Sequence, residues 1–107
     1  MAKPLEITET NFEQEVITSD KLAVLDLWAI WCGPCRLLDP VFKELAEQFD
    51  DKAIIGKVNV DENPAIPQKY GVLNIPTILF IKNGELVDKI VGAVPKRAIV
   101  EIIEKYL

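Results

Sequence analysis

The 107-residue sequence contains no histidine, one methionine and only two cysteines. Zinc sites use about four ligands, mostly cysteine and histidine, so a single chain cannot supply the usual set here. Two copies of the chain could still share a four-cysteine site. Attachment of c-type haem is excluded, because it requires a histidine directly after a Cys-x-x-Cys pair and Arg36 occupies that position.

Basic residues are also in the minority. The sequence has 12 Lys and Arg against 17 Asp and Glu, a formal net charge of −5. Nucleic-acid binding requires a basic surface that neutralises phosphates, so we expect no DNA or RNA partner. No apolar run is long enough to cross a bilayer, and residues 1–8 lack the apolar core of a secretory signal. We therefore expect a cytoplasmic protein without a membrane partner.

A length of 107 residues suits one domain, residues 1–107, with a core that needs no covalent crosslink. Strand-like and helix-like patterns alternate in the order β-α-β-α-β-α-β-β-α. Helices between strands favour parallel pairs, while Asn83-Gly84 between two apolar runs is a hairpin signal. The sequence therefore predicts an α/β fold, with a mixed central β-sheet flanked by helices on both faces.

The boundaries of these elements follow from hydrophobic periodicity and from capping signals. A capping-box pattern at residues 10–13 predicts the start of the first helix. Asn63 is expected to cap the third helix, with Pro64 at its first position. The predicted strands cover residues 5–7, 22–29, 53–60, 77–81 and 86–91. The predicted helices cover residues 11–17, 33–49, 64–71 and 95–106.

The two cysteines, Cys32 and Cys35, stand two residues apart after an apolar run. A disulfide across four residues closes too small a loop to constrain the unfolded chain much, so it would stabilise the fold only weakly. In the cytoplasm such a pair is more often catalytic or metal-binding. Positions three apart in a first helical turn lie on one face, which permits a disulfide. Redox chemistry is therefore the favoured interpretation, and the shared metal site stays open.

The predicted helix start near Gly33 gives the two sulfurs different roles. Cys32 lies at the helix N-terminus, where free N–H groups and the helix dipole favour its thiolate. Cys35, one turn further along, is expected to be more buried and less acidic. We predict that Cys32 attacks a disulfide first and that Cys35 resolves the mixed disulfide. Pro34 fixes the first helical turn, and Gly33 leaves space above the sulfur.

Residues 28–35 read WAIWCGPC and resemble the signature of the thioredoxin family. The likeness extends over essentially the whole chain, and it includes Asp26, Pro40, Lys57, Asp61, Ile75-Pro76-Thr77, Asn83-Gly84 and Gly92. It implies the thioredoxin fold and a reductase of protein disulfides in the cytoplasm, active in electron transport and cell redox homeostasis. It also implies a thioredoxin reductase as partner. We expect a monomer with no bound cofactor or metal, apart from a redox-active disulfide between the cysteines.

The resemblance also implies a docking surface beside the cysteines. In that family the proline matching Pro76 is cis and lies against the cysteine pair, and the backbone of Ile75 faces the incoming peptide. Trp31 is expected to cover the site and to form a flat apolar surface with Pro76 and Gly92. The rim departs from many relatives at three positions, which makes it less charged: Ile30, Leu73 and Asn74.

Asp26 lies inside the apolar run before the cysteines, where a charged residue is unexpected. One interpretation places it at a strand end with its carboxylate in water. The other is supported by strand alternation, which puts Asp26 and Trp28 on one face, and by the resemblance. It buries Asp26 under the cysteine pair with Lys57 nearby. Its expected role there is proton transfer with Cys35 as the mixed disulfide resolves.

Two other functions remain open from the sequence alone. A disulfide-forming oxidant would use the same cysteine pair, but strong oxidants stabilise the thiolate further, and a histidine between the cysteines is one means to that. Here Gly33-Pro34 occupies the place. A non-enzymatic binding module would use only the apolar rim, as a subunit of a larger assembly. The reduction potential tests the first alternative, and partner binding by a variant without cysteines tests the second.

Overall fold

The computed structural model describes residues 2–107 and contains a five-stranded mixed β-sheet. The strands are β1 (Leu5–Glu6), β2 (Leu22–Trp28), β3 (Ala53–Asn59), β4 (Thr77–Lys82) and β5 (Glu85–Val91). The helices are α1 (Cys35–Gln48), α2 (Ala65–Lys69) and α3 (Lys96–Tyr106), and a π-helical segment covers Glu13–Ile17. The order of elements along the chain confirms the predicted pattern.

The strands lie in the order β1-β3-β2-β4-β5. Strand β3 runs parallel to both β1 and β2. Its parallel pairing with β2 is possible because α1 carries the chain across the sheet between these two strands. Strand β4 is antiparallel to β2 and to β5. The turn between β4 and β5 has φ of 53° at Asn83 and 79° at Gly84, the left-handed values that a tight hairpin favours. The predicted mixed sheet and hairpin are both confirmed.

Strand β2 is buried on both faces, and its alternate residues belong to two separate cores. On one face, Leu22 and Val24 pack with apolar residues of α1 and α3, including Leu38, Phe42, Ile99 and Ile103. On the other face, Ala23, Leu25 and Leu27 pack with Val16 of the π-helical segment and Ile66 of α2. Because Asp26 and Trp28 follow the alternation of Val24, they lie on the face that α1 covers.

The predicted capping box at residues 10–13 is wrong. Two residues further back, the N–H of Thr8 donates to Oδ1 of Asn11 at 2.8 Å, and the N–H of Asn11 donates to Oγ1 of Thr8 at 3.3 Å. The helical segment that follows begins at Glu13, is π-helical and has no side-chain cap. Polar side chains compete for the same backbone groups in such turns, so the reciprocal pair replaced the expected cap.

The predicted cap of the third helix is also wrong. The side chain of Asn63 accepts the N–H of Glu9 at 2.9 Å and donates to the carbonyl of Asn59 at 3.1 Å. A carboxylate oxygen of Glu9 accepts the N–H of Ala65, the first residue of α2, at 2.8 Å. The start of α2 is therefore capped by a residue 56 positions away in the sequence.

Among residues 2–107, no helix is long and apolar enough to cross a membrane.

Candidate active site

A disulfide joins Cys32 and Cys35, whose Cα atoms lie 5.4 Å apart. The two cysteines form a small buried cluster with Ala29, and Trp28 and Ile75 pack against it. The pair therefore lies just beyond the carboxyl end of β2, in the loop that leads into α1. The predicted disulfide is confirmed.

The start of α1 differs from the prediction in a way that concerns the sulfurs. The helix begins at Cys35, two residues later than Gly33, so Cys32 lies in the preceding turn. The N–H of Cys35 donates to Sγ of Cys32 at 3.3 Å. A donor directed at this sulfur stabilises its thiolate once the disulfide is reduced. Cys32 thus lies in the turn before the helix, and the N–H of the first helical residue distinguishes its sulfur from that of Cys35.

Burial does not distinguish the two cysteines. The sequence predicts that Cys35 is the more buried, but each cysteine exposes 4% of its surface in the disulfide form. The prediction is wrong for the disulfide form, because the crosslink joins the two side chains and they are buried together.

Gly33 and Pro34 form the turn between the cysteines. Pro34 has φ −60° and ψ −26°, so its fixed φ suits the helix that begins at the next residue. A Cβ atom at Gly33 would meet no atom within 4 Å, which leaves open space over this turn. These placements agree with the predicted supporting roles, which stay predictions.

Trp31 lies at the surface, with 69% of its area exposed. Its indole N–H donates to Oδ2 of Asp61 at 2.8 Å, and this bond fixes the orientation of the ring. Trp31 forms one wall of a groove of about 270 Å³, here called the Trp31 groove, whose other apolar walls are Val60, Pro64, Pro67, Val72, Leu73 and Ile75. Of these, Leu73 is 92% exposed, so the groove has a prominent apolar rim.

The other predicted docking residues are joined to one another. The Ile75-Pro76 bond is cis, as the resemblance implies. The carbonyl of Pro76 accepts the N–H of Gly92 at 2.8 Å. Gly92 has φ of 106°, a value that strongly favours glycine, and a Cβ there would meet no atom within 4 Å. Ile75 links this pair of residues to the cysteine cluster against which it packs.

Asp26 is fully buried in the middle of β2, and neither of its carboxylate oxygens has a hydrogen-bond partner among residues 2–107. In the sheet register its neighbours are Lys57 on β3 and Ile78 on β4. Burial raises the pKa of Asp26 to about 7, against the lowering effect of Lys57 and with a further raising effect of Asp39. The interpretation of Asp26 as a solvated strand-end residue is therefore wrong.

The ammonium of Lys57 is bound to a different carboxylate. It forms an ion pair with Asp39 of α1, and it lies 4.9 Å from the ring centroid of Trp28. Asp39 is also 3.3 Å from the ammonium of Lys43. The hydrogen bond from Lys57 lowers the pKa of Asp39, so Asp39 is ionised at neutral pH.

Cys35 and the Lys57–Asp39 ion pair line the same groove, of about 330 Å³. This groove, here called the inner groove, also has Trp28, Ala29, Ile30, Arg36 and Pro40 in its walls. Cys35 and Ala29 thus border the inner groove, while Trp31 and Ile75 border the Trp31 groove. Among residues 2–107, no group of three or more cysteine, aspartate or glutamate residues could hold a metal ion.

Comparison with known proteins matches residues 3–105 to the thioredoxin family model. The chain belongs to the thioredoxin family. The thioredoxin of Chlorobaculum thiosulfatiphilum is 50% identical over 105 residues, which cover 98% of this chain and 97% of that protein. Thioredoxin 1 of Nostoc sp. is 45% identical over the full length of both chains. The thioredoxin of Staphylococcus haemolyticus is 45% identical over 103 residues, 96% of this chain and 97% of the relative.

These similarities confirm the predicted family and fold. Together with the Cys32–Cys35 disulfide, they identify a thiol–disulfide oxidoreductase of the protein-disulfide reductase type. The prediction from the sequence did not include one charged residue near this site, Asp39. A signal for it existed, since Asp39 follows Cys35 by four residues and so lies on the same side of α1.

The two thiols of this thioredoxin are expected to differ in reactivity. In the reduced protein at pH 7, Cys32 should alkylate at least about tenfold faster than Cys35, because the thiolate is the reacting form and the N–H of Cys35 stabilises it at Cys32. Timed iodoacetamide labelling with peptide mass mapping measures both rates. The unfolded protein is the control, in which the two rates should converge. Equal rates in the native protein would contradict the assignment.

Proposed function

We propose that this protein reduces disulfides in cytoplasmic client proteins and that a thioredoxin reductase restores its dithiol. The main support is the Cys32–Cys35 disulfide, in which Sγ of Cys32 accepts a backbone N–H, beside an exposed apolar groove. We propose further that residues 1–107 act as a single domain and a monomer in the cytoplasm, with no bound cofactor. Its roles there are electron transport and redox homeostasis.

The reaction proceeds by two exchange steps. The Cys32 thiolate attacks one sulfur of the client disulfide, a mixed disulfide forms, and the other client sulfur leaves as a thiolate that takes up a proton. Cys35 then gives up its proton and attacks Sγ of Cys32. The Cys32–Cys35 disulfide forms, and the second client sulfur leaves with the electron pair of the broken bond. Two electrons have passed from the dithiol to the client.

Asp26 is proposed to take the proton of Cys35 in the second step, directly or through water. Three features support this role: Asp26 shares a strand face with Trp28, Trp28 packs against the cysteines, and the Asp26 oxygens have no hydrogen-bond partner in the described part of the chain. A carboxyl group with a pKa of about 7 can both accept and release a proton near neutral pH. Lys57 is proposed to support the site from the adjacent strand.

Clients are proposed to dock as extended segments over the Trp31 groove. The backbone of Ile75 would pair with the segment, a limited case of strand addition. Trp31, Pro76 and Gly92 would supply the apolar surface around it. Ile30 and Leu73, which are 70% and 92% exposed, extend the apolar rim and favour clients with apolar residues beside the disulfide.

The proposed function is tested by insulin reduction with two electron donors. Dithiothreitol regenerates the dithiol in the first assay, and a thioredoxin reductase regenerates it in the second. We expect catalysis with both donors and a reduction potential near about −270 mV, the value known for thioredoxins. A potential near about −120 mV would instead support a disulfide-forming oxidant. Unchanged binding of a client by Cys32→Ser/Cys35→Ser, without catalysis by the parent protein, would support a binding module.

The variant Trp31→Ala distinguishes a role of Trp31 in client docking from a role in the exchange steps. We expect kcat/KM for insulin to fall about tenfold, mainly through KM, because truncating a central aromatic contact typically costs about 1–2 kcal/mol. Reduction of cystamine, which is too small to span the groove, should change less than about twofold. Leu107→Ala removes an exposed apolar side chain at the C-terminus and is the matched control. Equal losses with insulin and cystamine would place Trp31 in the chemistry and not in docking.

A further inference from the structure

Asp26, Asp39 and Lys57 come together on the face of the sheet that α1 covers. Lys57 stands opposite Asp26 in the sheet register, yet its ammonium is bound to Asp39 of α1. The carboxylate of Asp26 is left fully buried and without a hydrogen bond to any of residues 2–107. Asp39 is therefore placed to control the position of the Lys57 ammonium relative to Asp26.

We propose that Asp39 is a positioning residue, which holds the Lys57 ammonium at the outer part of the inner groove and thereby leaves Asp26 free to accept the proton of Cys35. This role deepens the proposed function of Asp26 and rests on it. Asp39 itself forms no bond with the client and takes no proton in either exchange step.

The preference of Lys57 for Asp39 has a physical reason. The side chain of Asp39 is 42% exposed and that of Lys57 is 22% exposed, so their ion pair keeps contact with water. A pair between Lys57 and the fully buried Asp26 would require both charges to lose their hydration. The flexible four-carbon stem of lysine can reach either carboxylate, and the face of Trp28 further favours the outer position.

The consequence concerns the state of Asp26 at neutral pH. An ammonium bound to Asp26 would favour its ionised form and lower its pKa, whereas burial without a partner has raised that pKa to about 7. A weakly basic carboxylate would take the proton of Cys35 less readily. By holding Lys57 away, Asp39 keeps Asp26 basic enough to act during the second exchange step.

Few other charged groups face these residues. Strand β4 presents the neutral Ile78 to Asp26, and α3 contributes apolar residues to the core on this face. From α1, Cys35 and Arg36 line the inner groove, and the Arg36 guanidinium donates to the carbonyl of Ile30 at 3.4 Å. Lys43 pairs with Asp39. Three further charged residues line outer cavities with Lys57 and form no ion pair with it in the part of the chain described: Lys3, Glu6 and Glu47.

The test measures the titration midpoint of Asp26 between pH 4 and pH 10 in the oxidised and reduced proteins. NMR follows the titration through the chemical shift of the Asp26 carboxyl carbon. In Asp39→Asn we expect the midpoint to fall by about one pH unit, because the released ammonium can turn toward Asp26. The pH at which the mixed disulfide resolves at half its maximal rate should fall with it. Asp39→Glu, which retains the charge, should restore most of the parent midpoint.

Two controls make the result specific. Glu47→Gln removes one carboxylate from the same helix, next to a cavity shared with Lys57, but breaks no ion pair, so the midpoint should move much less. The second control repeats Asp39→Asn in a Lys57→Met background, where its effect on the midpoint should largely disappear. An equal shift in both backgrounds would mean that Asp39 acts by its own charge, and it would overturn the proposal.

An unchanged midpoint in Asp39→Asn would also overturn the role of Asp39. Because the midpoint is measured without a client, this outcome leaves the proposed function intact. A separate kinetic result, an Asp26→Ala variant that resolves mixed disulfides at the parent rate, would overturn the role of Asp26 as a base and with it this inference.

Discussion

Cys32→Ser is expected to lower the rate of insulin reduction roughly a thousandfold or more, because it removes the nucleophile and no other group can form the mixed disulfide. Cys35→Ser is expected to be inactive in turnover for a different reason. Its Cys32 still attacks the client, but the mixed disulfide has no internal thiol to resolve it and accumulates.

Mass spectrometry and non-reducing gels distinguish the two variants. Incubation with an oxidised client should give a covalent complex with Cys35→Ser and none with Cys32→Ser or with the double variant. Removal of the trapped client by dithiothreitol should regenerate the free chain. Trapping by Cys32→Ser would reverse the assignment of the two sulfurs. Turnover by Cys35→Ser at the parent rate would contradict the resolving role of Cys35.

Asp26→Ala is expected to make the folded protein more stable than the parent at pH 8, by about 1–3 kcal/mol. In the parent, the pKa of Asp26 is about 7 when folded and about 3.9 when unfolded, so the native state holds the extra proton between these values. Parent stability therefore falls as the pH rises from the lower pKa through the higher one, and it stays lower above pH 7.

The size of the effect follows from the two pKa values. Their difference corresponds to roughly 4 kcal/mol. The free-energy cost of the small cavity that the removed carboxylate leaves is subtracted from this value. Near pH 4 Asp26 is protonated in the folded parent, so the advantage of Asp26→Ala should disappear. Denaturant unfolding at pH 8 and pH 4 measures both values. Asp20→Ala, at an exposed aspartate, is the control and should show no such dependence on pH.

The same variant should also reduce insulin more slowly at neutral pH, because Cys35 loses the group that is proposed to accept its proton. Stability and activity thus move in opposite directions, which is unusual for a mutation that merely damages the fold. If Asp26→Ala were less stable than the parent at pH 8, or equally active, the mechanism given for Asp26 would be wrong.

The alternation of elements, the hairpin and the cysteine chemistry could be predicted from the sequence. Each depends on spacing that local geometry fixes: the periods of helix and strand, the left-handed turn at Asn83-Gly84, and two cysteines three positions apart. These signals need no knowledge of distant partners. The burial of Asp26 and the docking residues required the family resemblance as well, because composition and periodicity place them in elements but not around one site.

What the sequence could not determine was the choice of partner for each polar side chain. Glu9 caps a helix 56 residues away, and Lys57 binds Asp39, 18 residues away, although Asp26 stands beside it in the sheet. Such choices depend on which groups the fold brings within reach of one another, and on how much hydration each pairing removes. Only the tertiary structure sets these two quantities, so it alone decided that the buried carboxylate of Asp26 has no hydrogen-bond partner among residues 2–107.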